Sequence, residues 1–240
     1  MSADAELARR AAEAAGALLL QIQSESRDGA RGDRDANRLI LDLLRAERSD
    51  DAILSEESPD DPARLGARRV WIVDPLDGTR EFAEGRADWA VHVALAIDGA
   101  PALGAVGLPR RGLVLTSAAP PALPPAADPP RVLVSRSRPS ALCRGVADAL
   151  AGETIGMGSA GAKAMAIVLG EAEIYLHTGG QHQWDNCAPA AVALAAGLHA
   201  SRIDGSPLVY NGADTLVPDL LICRRELAPQ ILELAARHLM

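Results

Sequence analysis

One stretch constrains this chain more than any other: Val70-Trp71-Ile72-Val73-Asp74-Pro75-Leu76-Asp77-Gly78-Thr79. An apolar run of this kind is a buried strand. It ends in two carboxylates separated by Pro and Leu, then Gly and Thr. Pro75 fixes the backbone just past the strand and removes a donor. Gly78 permits a turn that most residues cannot make. Such a turn can aim both carboxylates and the Leu76 carbonyl at one point. Hard cations favour clustered oxygens, with water completing the octahedron. Like charges this close repel unless a cation or a proton lies between them. A bare Asp-Gly pair reads as an ordinary turn. Asp-Pro-Leu-Asp-Gly-Thr directly after an apolar strand reads as a cation site.

Charge distribution sharpens that reading. Residues 1–130 hold 22 acids and 15 bases, net −7, whereas residues 131–240 hold 10 and 9, net −1. A chain of formal charge −8 with six aromatics and no basic stripe is a poor nucleic-acid binder. A hydrophobic share of 48% allows a sizeable core. Cys143, Cys187 and Cys223 form no C-x-x-C pair, which predicts no disulfide framework and fits a reducing cytoplasm. The N-terminal stretch lacks the pattern of a signal peptide. No segment offers the ~18 continuous apolar residues that a membrane span needs.

Periodicity predicts helices over residues 7–22 and 36–44, the second capped by Asp33. Short strands follow at Ala52–Leu54, Val70–Val73, Ala90–Ile97, Leu103–Val106 and Leu113–Leu115. Residues 118–130 carry six prolines and five alanines, which predicts a linker. Beyond it, strands at Val132–Ser135, Thr154–Met157, Ile174–His177 and Leu220–Cys223 alternate with helices at 140–150, 162–169, 188–196 and a last one reaching His238. The expectation is an α/β protein with a metal-binding lobe over 1–117 and a substrate-binding lobe over 131–240. Trp71 and Trp89 are expected in the core, and His199 is expected to be structural.

Other acids can join the cluster. Glu56-Glu57 follows the strand at Ala52–Leu54; alone it reads as a solvated loop. Asp185 follows Trp184 before a helix, where a cap is the simple reading. Together with Asp74 and Asp77 these acids could build a two-metal phosphatase site. Phosphatases that form a phospho-aspartate use D-x-D-G-T, with the first Asp as nucleophile. Pro75 stands at that position, so attack by metal-activated water is the reading left. His177, His182 and Cys187 match no common zinc spacing. His182 is a candidate to touch substrate.

These motifs, in this order, resemble the inositol monophosphatase superfamily of magnesium-dependent, lithium-sensitive phosphatases. The resemblance is carried by Glu56-Glu57, by Asp74-Pro75-Leu76-Asp77-Gly78-Thr79, and by Trp184-Asp185 with Cys187-Ala188-Pro189. Arg80-Glu81-Phe82 and Gly158-Ser159-Ala160-Gly161-Ala162-Lys163 look most like the CysQ branch. That branch hydrolyses the 3′-phosphate of 3′-phosphoadenosine 5′-phosphate, a by-product of sulfate assimilation, to AMP and phosphate. The resemblance implies a layered α/β/α/β/α sandwich with the metals at the lobe junction. It implies that Glu56, Asp74 and the Leu76 carbonyl hold one Mg²⁺, that Asp74, Asp77 and Asp185 hold another, and that Glu56 also serves a weaker third. It makes Asp33 and Thr79 the pair that activates the attacking water. Members often carry a Thr shortly before that Asp, where this chain reads Ala30-Arg31-Gly32. The family includes monomers and dimers.

Substrate choice is expected to come from the second half. Its glycine-rich 158–163 segment can present backbone N–H groups to a phosphate or simply lead into a packed helix. Lys163 is the only lysine among 24 basic residues, and a compact ammonium there helps bind the nucleotide in the resemblance. Ser135 and Arg138 would take the second phosphate. The resemblance also puts Asp77, Gly78, Thr79, Ser159 and Asp185 around the substrate. The rival readings are a broader inositol-1-phosphate or fructose-1,6-bisphosphate phosphatase, and a catalytically silent nucleotide or cation sensor.

Overall fold

A computed structural model describes residues 1–239 of the chain. Two long helices come first, α1 (Ala3–Glu25) and α2 (Gly29–Glu47). A five-stranded sheet follows in the order β1 (Ala52–Ser55), β2 (Arg69–Asp77), β3 (Ala90–Ile97), β4 (Ala100–Leu108), β5 (Leu113–Thr116). β1 and β2 are parallel, and the other pairs are antiparallel. The short helix α3 (Thr79–Ala83) leaves the end of β2.

The second half builds another five-stranded sheet, in spatial order β7 (Glu153–Met157), β6 (Arg131–Ser135), β8 (Ile174–His182), β10 (Leu216–Cys223), β9 (His199–Ser201). Helices α4 (Ala141–Ala149), α5 (Ala160–Val168), α6 (Gln183–Ala195) and α7 (Ala228–Leu239) complete it. No regular element lies between Thr116 and Arg131, where the prolines fall.

The layering follows from strand alternation. On β2, Trp71 and Val73 face α1 and α2, together with Leu19, Ile40 and Leu44. Val70 and Ile72 face the opposite way, into a core shared with Met165, Ile167 and Ala190 of α5 and α6. That core continues to Leu133, Leu220 and Ile222 of the second sheet, so one apolar interior crosses from the first half to the second. Val134, Leu176 and Leu221 face outward onto Leu142 and Val146 of α4 and Ile231 of α7. The result is the expected α/β/α/β/α sandwich. Trp71 and Trp89 are both fully buried. No helix among the described residues is long and apolar enough to cross a membrane.

Two helix starts differ from the sequence expectation, and both differences matter for the site. Asp28, not Asp33, caps α2, accepting from the Arg31 backbone N–H at 3.0 Å. Periodicity read from Ala36 misses the first turn because Gly29 and Gly32 occupy it. Those glycines are there for close approach: a Cβ on Gly29 would lie 2.6 Å from Thr79 Cγ2, and one on Gly32 would lie 3.0 Å from Leu19 Cδ2. Asp33 is therefore carried inside the helix and brought against the loop after β2. Likewise α6 begins at Gln183, so Asp185 is in its first turn, not at its cap.

Candidate active site

The site forms where β2 ends. Its pairing with β3 holds through Asp74 opposite His92, then slips before Asp77 meets Ala90. Pro75 and Leu76 fill the slip, and Gly78 turns the chain with φ 95°, in the left-handed region. α3 starts at once, with Thr79. Because β1 pairs parallel with β2 through Ser55 and Val73, and the Glu56 N–H donates to Val73 O at 3.2 Å, Glu56 is delivered beside Asp74. α6 delivers Asp185 from the second half. One oxygen each of Asp74, Asp77 and Asp185 fall within 4.8 Å of one another.

Each carboxylate is held on one side and left open on another. Asp74 is 1% exposed; its Oδ1 accepts from the Leu76 N–H at 3.0 Å, and its Oδ2 has no partner. Asp77 Oδ2 accepts from Ser159 Oγ at 2.5 Å and the Gly161 N–H at 2.6 Å, and lies 3.3 Å from His92 Nε2. Asp185 Oδ2 accepts from the His182 N–H at 2.5 Å. Asp33 Oδ2 lies 3.3 Å from Thr79 Oγ1, which is also 3.2 Å from the Leu76 carbonyl; Asp33 Oδ1 is buried without a partner.

Burial and mutual repulsion act on these groups together. Burial, then the charges of Glu57 and Glu56, push Asp33 up to about 7. Burial, then Asp77, push Asp185 up to about 7. Asp74 is raised well above the carboxylate range by burial and by Glu56, Asp77, Asp185 and Asp33. Loss of hydration, with Asp77 and Glu57 nearby, raises Glu56 against a lowering hydrogen bond with Asp74. Asp77 is the exception. Burial pushes it up, but His92, Ser159 and the Gly161 N–H outweigh that and hold it below the usual range.

This donor set fits a hard divalent cation. It is all oxygen and acidic, with Asp74 and Asp77 buried, Asp185 half-buried and Glu56 at the exposed edge, and Asp74 keeps an unsatisfied buried oxygen. Two positive charges among these carboxylates would offset the repulsion that otherwise keeps protons on them.

A cleft of about 260 Å³ opens beside the acids. Asp77, Gly78, Thr79, Ser135, Arg138, Ser159, Lys163 and Asp185 all line it, so the residues named from sequence for substrate meet in one place. Their roles in it are not all as expected. The N-terminus of α5 is already engaged by an anion, the Asp77 carboxylate, through Gly161 and Ser159. Lys163 is 5% exposed and donates to the Gly158 and Ser159 carbonyls at 3.2 and 2.6 Å, with its ammonium 5.2 Å from the Tyr175 ring centroid. Burial lowers its pKa. Its first task is to shape the 158–159 turn. His182 does not line the cleft: its ring stacks on Trp184, and Nδ1 lies 2.9 Å from Thr215 Oγ1.

Two features escaped the sequence reading. Arg136 crosses the cleft mouth to Glu81 at 3.2 Å and Asp88 at 2.5 Å, leaving Arg80 and Arg138 as the cleft arginines without an ion pair among the described residues. His92 is fully buried among the carboxylates. A signal for it existed, since it is the one polar residue in the apolar run Ala90–Ile97.

Known proteins are similar to this chain over most of its length. A family model described as the inositol monophosphatase family matches residues 3–120 and 132–240. A Mycobacterium bovis protein named 3′-phosphoadenosine 5′-phosphate phosphatase is 52% identical over 236 residues, covering 91% of this chain and 88% of its own. The Escherichia coli 3′(2′),5′-bisphosphate nucleotidase CysQ is 33% identical over 195 residues, covering 76% of this chain and 79% of its own. In three dimensions, inositol monophosphatase II of Staphylococcus aureus superposes with a TM-score of 0.85 at 19% identity, over 99% of this chain and 97% of that one, a likeness of fold alone. This chain belongs to the inositol monophosphatase family.

Proposed function

We propose that this chain is a 3′(2′),5′-bisphosphate nucleotidase that removes the 3′-phosphate of 3′-phosphoadenosine 5′-phosphate, giving AMP and phosphate. The observation that carries this reading is the shared cleft. The acidic cluster opens into the same space as Arg138, Ser135 and Lys163, so one phosphate can meet the acids while a second meets positive charge. A monophosphate would leave that second charge unused. The relatives named above for this reaction support it.

Mg²⁺ is the proposed cation. Glu56, Asp74 and the Leu76 carbonyl would hold one ion and Asp74, Asp77 and Asp185 another, with Asp74 shared. When bound, the ions supply Lewis acidity, which makes a water acidic enough to attack and offsets charge on the leaving oxygen. The protein groups do the rest. Thr79 Oγ1, held between Asp33 and the Leu76 carbonyl, orients the water. Asp33 receives the proton through Thr79; its raised pKa, about 7, suits a proton acceptor at neutral pH. Ser159 and Gly161 fix one oxygen of Asp77 and leave the other for the cation. No covalent nucleophile is required. The acidic balance of the chain, net −8, disfavours nucleic acid as a partner, and three cysteines without a C-x-x-C pair fit a reducing cytoplasm.

The test is phosphate release from 3′-phosphoadenosine 5′-phosphate, inositol 1-phosphate and fructose 1,6-bisphosphate, with Mg²⁺ and then with Li⁺ added. The bisphosphate nucleotide should be preferred, and Li⁺ should inhibit. Release from none of the three would sink the enzyme reading. A preference for inositol phosphate would sink the substrate assignment.

A further inference from the structure

His92 connects parts of the site that come from opposite halves of the chain. It sits in the middle of β3, directly across from Asp74, with no exposed surface. Its Nδ1 lies 3.0 Å from the Trp184 carbonyl, in the turn that carries Asp185. Its Nε2 lies 3.3 Å from Asp77 Oδ2, an ion-pair contact on the oxygen that Ser159 and Gly161 also hold. Asp74 Oδ2 is 3.9 Å from Nδ1. One ring therefore touches the segments of three proposed cation ligands. The packing around it is tight: a Cβ on Gly161 would fall 2.0 Å from Nε2, so the bare glycine is what admits the ring.

We propose that His92 is a positioning residue of the hydrolysis, locking Asp77 and the Trp184–Asp185 turn at one separation so that their free oxygens converge on the same cation. The inference rests on the cation-site reading above. Hydrogen bonds from Ser159 and Gly161 hold Asp77 Oδ2, His92 Nε2 packs 3.3 Å from the same oxygen without hydrogen-bond geometry, and Oδ1 is left free to bind. Without the ring, the Asp77 contacts from α5 remain, but no other side-chain hydrogen bond or ion pair among the described residues links β2 to the first turn of α6. Partners that orient ligands in this way change metal affinity by roughly 10–100-fold when removed.

Two substitutions separate the two contacts. The amide nitrogen of Asn mimics Nδ1, and that of Gln mimics Nε2. Mg²⁺ affinity is measured by calorimetry without substrate, alongside kcat and KM at saturating Mg²⁺. His92→Asn should weaken Mg²⁺ binding about tenfold or more and lower kcat, with KM for the nucleotide within about twofold. His92→Gln should show a loss of similar size, because each variant keeps one end of the tie and breaks the other. Mg²⁺ affinity left unchanged in either variant overturns the inference. Because a core variant can fail to fold, the intact protein supplies a second measurement. The ring ¹⁵N signals of His92 should shift on Mg²⁺ addition and saturate with the calorimetric constant; unmoved signals overturn the proposal. Wild-type protein that binds no Mg²⁺ would overturn the cation-site reading itself, a different outcome from binding that ignores His92.

Discussion

The acidic cluster is costly to the fold until a cation enters it, and Asp74→Asn exposes the cost. Asp74 sits at the centre, with oxygens of Asp77 and Asp185 within 4.8 Å. At that distance a pair of full charges repels by about 3.5 kcal/mol at an effective dielectric of about 20, so two pairs approach about 7 kcal/mol. Protonation is the cheaper escape. Keeping a carboxyl neutral at pH 7, against an ordinary value of 3.8, costs about 4 kcal/mol. The smaller figure sets the ceiling. Asn removes the charge, keeps an Oδ1 to accept from the Leu76 N–H, and offers a donor toward Glu56. The net gain in stability should be about 2–4 kcal/mol, or roughly 5–15 °C for a chain of this size.

The assay is thermal unfolding in chelator across pH. Asp74 has a folded pKa above its unfolded one. Its contribution is therefore fully present below about 4 and is lost as pH rises through the raised folded value. Wild type should lose stability from about pH 4 upward relative to Asp74→Asn, with the gap growing as pH rises toward the raised folded value and closed by pH 4. Mg²⁺ at a hundredfold excess over its dissociation constant should return about 2.7 kcal/mol to wild type and little to the variant. Turnover should be lost. A variant less stable than wild type in chelator at pH 8 would refute this account of the cluster.

Three other perturbations address separate links. Thr79→Val keeps the side-chain volume and removes the hydroxyl between Asp33 and the Leu76 carbonyl; kcat should fall about 100-fold or more while the melting temperature moves by only about 1–2 °C, and an unchanged kcat would remove Thr79 from the relay. Gly29→Ala sets a Cβ 2.6 Å from Thr79 Cγ2; steady-state kinetics should show a lower kcat, and full activity would mean Thr79 has room to move. Glu173→Ala removes a fully buried carboxylate that accepts from Arg131 and from the Ala127 N–H, while Arg131 is itself part-exposed; it should cost about 1–3 kcal/mol by denaturant unfolding, while kcat of the folded fraction stays as it was.

How much of this was legible beforehand depended on whether the cause was local. The apolar strand, the Pro-Leu slip and the Gly78 turn are set by neighbours in the chain, and the sequence of β2 reads correctly into its site. The alternation of Trp71 and Val73 against Val70 and Ile72 likewise predicts a strand between two layers. Asp33 was harder. Its helix begins with glycines, which a periodicity search discounts, yet those glycines exist because Thr79 and Leu19 press against them. Lys163 was found by its rarity but not by its partners, since the carbonyls it caps belong to a turn whose shape no spacing reveals. His92 was missed because its meaning lies entirely across the fold, at Trp184 and Asp77. Arg136 and Arg138 look alike in sequence, and only the positions of Glu81 and Asp88 tell them apart.

The uneven charge of the two halves takes on a different meaning from these contacts. Asp33, Glu56, Asp74 and Asp77 lie in the half of net −7, yet that half alone cannot arrange them. Asp77 is gripped by Ser159 and Gly161 at the start of α5, and Asp185 arrives on α6. Both helices are packed into the core shared by the two sheets, so their positions are fixed by apolar burial at Met165, Ile167 and Ala190. Burial on that scale is worth about 1.5–3 kcal/mol for each large side chain. A handful of such residues outweighs the few kcal/mol of repulsion estimated above, and only such a margin lets five carboxyls stand together. The near-neutral second half therefore does more than receive the substrate: its apolar helices hold the acids of the first half where a cation can use them.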